Sequence, residues 1–172
     1  MSTTICLGYT PSDKGDIFQD IQALSSRFGY GVLNGILFAE PDVRWGVEAA
    51  KKHQGWENVL LLQAPIDRDV GLAFGIEQEM MDLFFGKIQR PLFFDFLVDL
   101  TALCAGNCEK LGVLFASECF EGDPIRYCQG NTDDLIRFLA TSMSWELTYI
   151  GSKPNELQSS DEVPLLFNIR VR

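Results

Sequence analysis

The chain has 172 residues, of which 47% are hydrophobic and 22% are charged, and this composition excludes collagen-like, coiled-coil and intrinsically disordered classes. Its 24 acidic and 14 basic residues give a formal net charge of -10, which disfavours binding to nucleic acid or to an anionic membrane surface. The length is typical of one domain, so we expect a single globular domain over residues 1–172.

The first third of the chain alternates between apolar runs and segments with helical periodicity. Asp13 can cap a helix in which Ile17, Ile21 and Leu24 recur on one face, and Gly29 is typical of a helix end. The predicted elements are a strand at 3–10, a helix at 13–28, a strand at 31–39, a helix at 41–54 and a strand at 58–64.

The rest of the chain is richer in helix and ends in two strands. Pro91 can begin an apolar helix, and Asn131 or Thr132 can cap another. The predicted elements are helices at 72–88, 91–105 and 131–143, and strands at 111–116, 145–150 and 163–171. We therefore expect an α+β (or mixed α/β) fold, in which a mixed sheet of about six strands packs against about five helices and the last two strands form an antiparallel pair.

The cysteines predict reduced thiols rather than a disulfide framework or a metal site. Their number is odd, they lie in or near apolar stretches, and only Cys104 and Cys108 are close in sequence, which is not the paired spacing of structural zinc. The five are Cys6, Cys104, Cys108, Cys119 and Cys128. We expect no metal and no other cofactor. Because the N-terminal residues do not resemble a signal peptide and no apolar segment reaches membrane-spanning length, we expect a cytoplasmic protein.

Two features that often carry chemistry have simpler explanations here. The only histidine, His53, follows Lys51 and Lys52 at the end of a predicted helix, where cations stabilise the helix dipole. The glycines at 29, 31 and 35 follow a helix and precede a strand, whereas a dinucleotide fingerprint follows a strand and opens a helix. Neither feature predicts a catalytic centre or a nucleotide site.

Asp95 and Asp99 are the most unusual carboxylates, because they lie four residues apart in an otherwise apolar helical segment. Two carboxylates at a suitable separation could support acid–base hydrolysis, which makes this pair the candidate for a small carboxylate-dependent, hydrolase-like enzyme. The alternative is a narrow solvent-facing stripe on a mostly buried helix.

The remaining acids favour binding to a basic protein, since complementary charge accelerates and orients association. An exposed aromatic residue beside them would strengthen such an interface, and Trp45, Trp56, Tyr127 and Trp145 are the options, although core packing is the commoner fate of these residue types. The predicted partner-binding residues are Glu118, Glu121, Asp123, Asp67, Asp69, Glu77, Glu79 and Tyr127.

The leading hypothesis is a non-enzymatic, acidic protein-binding module, specifically a cytoplasmic inhibitor of the bacterial toxin-immunity type that occludes a basic toxin. It rests on size, charge and the lack of a catalytic motif. One alternative is the carboxylate-dependent enzyme with Asp95 and Asp99. A second alternative is a structural or adaptor subunit of a phage or secretion assembly, which would expose a large apolar patch or form a stable oligomer. The sequence does not predict the oligomeric state.

Overall fold

A computed structural model describes residues 4–13, 15–39, 41–63, 76, 78–79, 82–83, 85–116, 125–140 and 165–171. The strands are β1 (Thr4–Pro11), β2 (Gly31–Asn34), β3 (Asn58–Gln63), β4 (Cys108–Ala116), β5 (Arg126–Gly130) and β6 (Leu165–Ile169). The helices are α1 (Phe18–Arg27), α2 (Gly35–Phe38), α3 (Pro41–Gln54), α4 (Leu92–Cys104) and α5 (132–140). Ile76, Gln78, Glu79, Asp82 and Leu83 are also helical.

The six strands form one mixed sheet in the order β2-β3-β1-β4-β6-β5. β1 lies in the middle and is antiparallel to both β3 and β4, and β6 is antiparallel to β4 but parallel to β5. The predicted α+β class with a mixed sheet is confirmed. The first strand of the predicted C-terminal antiparallel pair, at 145–150, lies outside the described residues. Among those that are described, the antiparallel neighbour of the last strand is β4.

Helices cover both faces of the sheet. Alternate residues of each strand point to opposite faces, so the strands contribute side chains to a core on each side. Leu7 and Val113 face one side, where they join the core formed with α1, α4 and α5. Cys6, Leu114 and Leu166 face the other side and pack against α3. β1 is therefore buried on both faces, which explains why its sequence reads as a continuous apolar run.

Two short elements differ from the prediction. The predicted strand at 31–39 ends at Asn34, because the Asn34 side-chain oxygen accepts a hydrogen bond from the Leu37 backbone at 3.0 Å and starts the single turn of α2. β5 was not predicted at all. Its residues alternate little in polarity, and Arg126, Tyr127 and Gln129 are exposed.

Helix starts follow local hydrogen bonds. α1 begins at Phe18 rather than at 13, since Asp16 Oδ1 accepts a hydrogen bond from the Phe18 backbone at 3.1 Å. The predicted cap of α5 is confirmed: Asn131 Oδ1 accepts from the Asp134 backbone at 2.8 Å, and Asp134 Oδ2 accepts from the Asn131 backbone at 2.9 Å. Within the described ranges, no helix is long and apolar enough to cross a membrane.

Candidate partner-binding surface

α4 presents two different faces. Pro91 precedes it in an extended conformation, and Phe93, Phe96, Leu97 and Leu100 enter the core. The solvent-facing side, which we name the α4 outer face, consists of Leu92, Asp95, Val98, Asp99 and Ala102. Because a helix turns 100° per residue, these five positions fall within about a third of its circumference. The sequence could not decide between a solvent-facing stripe and a reactive pair, and the geometry places Asp95 and Asp99 on the solvent side.

The α4 outer face combines apolar and acidic side chains. Leu92 is 47% exposed and Val98 is 39% exposed. Asp95 Oδ1 lies 2.6 Å from Arg90 Nε, and the Arg90 guanidinium also lies 6.0 Å from the centre of the Phe94 ring. Both members of this ion pair are about half exposed, so it contributes little to stability and can exchange for a pair with another cation.

Glu79 is the only one of the seven predicted partner-binding acids within the described residues. Its Oε2 accepts a hydrogen bond from the Phe93 backbone at 3.2 Å, which satisfies one of the free N–H groups in the first turn of α4. This carboxylate therefore anchors α4. The others, which are Glu118, Glu121, Asp123, Asp67, Asp69 and Glu77, lie outside the described residues.

Tyr127, the predicted aromatic contact, is 44% exposed on β5. Its ring stacks on His53 with 4.2 Å between ring centres and 24° between planes. His53 is the last residue but one of α3, so the stack joins the end of this helix to β5, at one edge of the described sheet. The other aromatic candidates behave differently: Trp45 is partly buried, Trp56 is buried as core packing predicts, and Trp145 lies outside the described residues.

Three of the four described cysteines are buried, as the apolar stretches around them predict. Cys6, Cys104 and Cys108 are buried, Cys128 is partly buried, and none of these is disulfide-bonded. A hydrogen bond with Cys108, together with burial, raises the pKa of the Cys104 thiol well above its ordinary value, so Cys104 stays protonated and unreactive. Among the described residues, no three His, Cys, Asp or Glu side chains are grouped to hold a metal ion.

A second feature lies on the opposite face of the sheet. Gly8 and Gly112 face each other across β1 and β4, and the six-membered ring of Trp56 lies over both. A strand glycine often marks such a close approach, so Gly8 and Gly112 were a signal in the sequence for this arrangement. Trp56 also lines an open cleft at the end of α3, together with Glu48, Lys51, Lys52 and Gly55.

Hydrogen bonds hold the chain at the end of α3 in place. Thr10 Oγ1 donates to the Gly55 carbonyl at 3.1 Å and accepts from the Glu57 backbone at 3.2 Å. Lys110 Nζ donates to the Gln54 carbonyl at 3.0 Å, which places a cation at the negative end of the helix dipole. The position of Trp56 is therefore fixed from both β1 and β4.

No protein-family model, curated protein or solved structure matches the chain. The site must therefore be interpreted from its own chemistry.

Proposed function

We propose that the chain is a non-enzymatic, cytoplasmic binding module that occludes a basic protein partner, in the manner of bacterial immunity proteins that bind toxins. The observation that carries the proposal is the α4 outer face, where exposed Leu92 and Val98 lie beside Asp95 and Asp99. Exposed apolar residues supply the buried area of an interface, and the flanking carboxylates select a cationic partner.

The proposal assigns Asp95 and Asp99 to binding rather than to hydrolysis. Both side chains lie on the solvent side of a helix, and Asp95 already pairs with Arg90. General acid catalysis by a carboxyl group relies on a buried or otherwise unusual environment that keeps it protonated near neutral pH. A partner lysine or arginine, in contrast, can replace Arg90 at Asp95 without any change in the fold.

The test begins with the tagged protein in its native cells. A carbodiimide joins a carboxylate directly to a neighbouring lysine amine, so mass spectrometry of crosslinked complexes reports both the partner and the acids that contact it. We expect one basic protein, crosslinked at Asp95 or Asp99. Titration calorimetry of the purified pair should show weaker binding when NaCl is raised from about 50 mM to about 300 mM.

Two double variants distinguish binding through the α4 outer face from a general effect of negative charge. Asp95→Asn/Asp99→Asn should raise Kd about tenfold or more, because both carboxylates contact the partner. The matched control Asp13→Asn/Glu109→Gln removes the same charge at exposed positions off α4 and should change Kd by less than about threefold. Equal losses in the two double variants, or an acidic partner, would contradict the proposal.

A further inference from the structure

The cleft at the end of α3 is large enough for a small molecule. Its volume is about 420 Å³, within the range of small-molecule sites, and it is open to solvent. It lies on the face of the sheet opposite to α4, because Trp56 and α3 belong to one core cluster and the buried residues of α4 belong to the other. An inference about the cleft is therefore independent of the proposed function.

Trp56, which lines the cleft, carries a hydrogen-bond donor that the described fold does not use. Trp56 is only 3% exposed, and its indole Nε1 is buried without an acceptor in the described part of the chain. Buried donors in folded proteins are nearly always paired, because removing one from water without a new partner is costly. The indole cannot easily turn to find one, since its ring is held flat on Gly8 and Gly112.

The cleft also carries positive charge, which is unusual in a chain with a net charge of -10. Lys51 and Lys52 both line it, and neither forms an ion pair with another described residue. Lys110, which is close by, already donates to the Gln54 carbonyl. Among the described residues that line the cleft, Glu48 on the preceding turn is the one acid, and it opposes an anion there.

From these observations we infer that the cleft binds a small molecule bearing a carboxylate or phosphate group. One oxygen accepts the hydrogen bond from Trp56 Nε1, and the negative charge pairs with Lys51 and Lys52. Charge-assisted hydrogen bonds of this kind are the stronger ones. Because Nε1 is covered in the free protein, binding includes a shift of the side chains around it, and the long lysine side chains can move in this way.

The NMR peak of the Trp56 indole N–H reports whether an anion binds in the cleft. The chain has three tryptophans, so the indole region of a ¹H–¹⁵N spectrum contains three peaks, and Trp56→Phe identifies the one from Trp56. We titrate the intact protein with inorganic phosphate and, separately, with acetate. The inference predicts a saturable downfield shift of the Trp56 peak with a Kd of about 1 mM or tighter for at least one of the two. The probe that gives the tighter Kd identifies the class of anion.

Three variants locate the binding. Lys51→Gln/Lys52→Gln should raise Kd about tenfold, while Lys87→Gln, which changes an exposed lysine that does not line the cleft, should leave it within about twofold. Glu48→Gln should lower Kd, because it removes the opposing charge. Two results would overturn the inference: a Trp56 peak that does not shift with either anion, or a shift that is unchanged in the double lysine variant.

Discussion

Trp56 lies flat on the sheet because two facing residues have no side chain. A Cβ atom at Gly8 would overlap the six-membered ring, and so would one at Gly112. Neither glycine has a positive φ, so the requirement at both positions is space and not backbone conformation. The same two glycines therefore let the indole pack on the α3 face of the sheet and fix the position of its Nε1 donor.

Gly8→Ala should lower the free energy of unfolding by about 1–3 kcal/mol, because the added methyl group displaces the buried indole. Gly31→Ala is the matched control: it lies on another strand of the sheet, and the nearest heavy atom to an added Cβ is 3.9 Å away. Urea denaturation followed by tryptophan fluorescence measures both. An equal, small effect for the two variants would show that Trp56 is not held by this contact.

On the opposite face of the sheet, the buried side chain of Tyr9 both packs in the core and forms a hydrogen bond. Tyr9 is 1% exposed, and its hydroxyl donates to Asp16 Oδ1 at 2.9 Å. Burial and this hydrogen bond hold the pKa of Tyr9 above its ordinary value, so the phenol stays neutral. Asp16 Oδ1 also accepts from the Phe18 backbone, so one carboxylate ties β1 to the start of α1.

At the scale of elements, those with a clear hydrophobic pattern were predictable and short elements without one were not. β1, β3, α3 and α4 were predicted because burial on both faces gives a strand a continuous apolar run, and burial on one side gives a helix a helical period. α2 and β5 were missed, since a single turn set by the Asn34 cap and an edge strand with exposed Arg126 and Tyr127 have no such period. Pairing with β6, rather than local sequence, makes β5 a strand.

The cap at the start of α5 was predictable from the local sequence. Asn131→Ala removes the acceptor for the Asp134 backbone and should lower the free energy of unfolding by about 1 kcal/mol. Asp133→Ala changes an exposed residue of the same turn that takes no part in the cap, and should cost no more than a few tenths of a kcal/mol. Thermal unfolding by circular dichroism compares them, and an inverted order would contradict the role of Asn131.

At the scale of the whole molecule, charge was predictable from the sequence but its distribution was not. Among the described residues, two carboxylates lie together on the α4 outer face, Asp95 and Asp99, and two lysines lie together beside the cleft, Lys51 and Lys52. Sequence periodicity places Asp95 and Asp99 on the same side of a helix. Whether that side is exposed to solvent depends on which side of α4 meets the sheet.

With a net charge of -10, the negative charges of the folded chain repel one another, so added salt should stabilise the fold. Raising NaCl from about 10 mM to about 100 mM shortens the Debye length from about 30 Å to about 10 Å, which screens repulsion between distant carboxylates. The ion pairs of the described residues, Arg90–Asp95 and Arg137–Asp134, are exposed, so their screening costs little. We expect Tm to rise by a few degrees over this range in differential scanning calorimetry. A Tm that falls with salt would show that attractive pairs, and not repulsion, dominate the electrostatic free energy of folding.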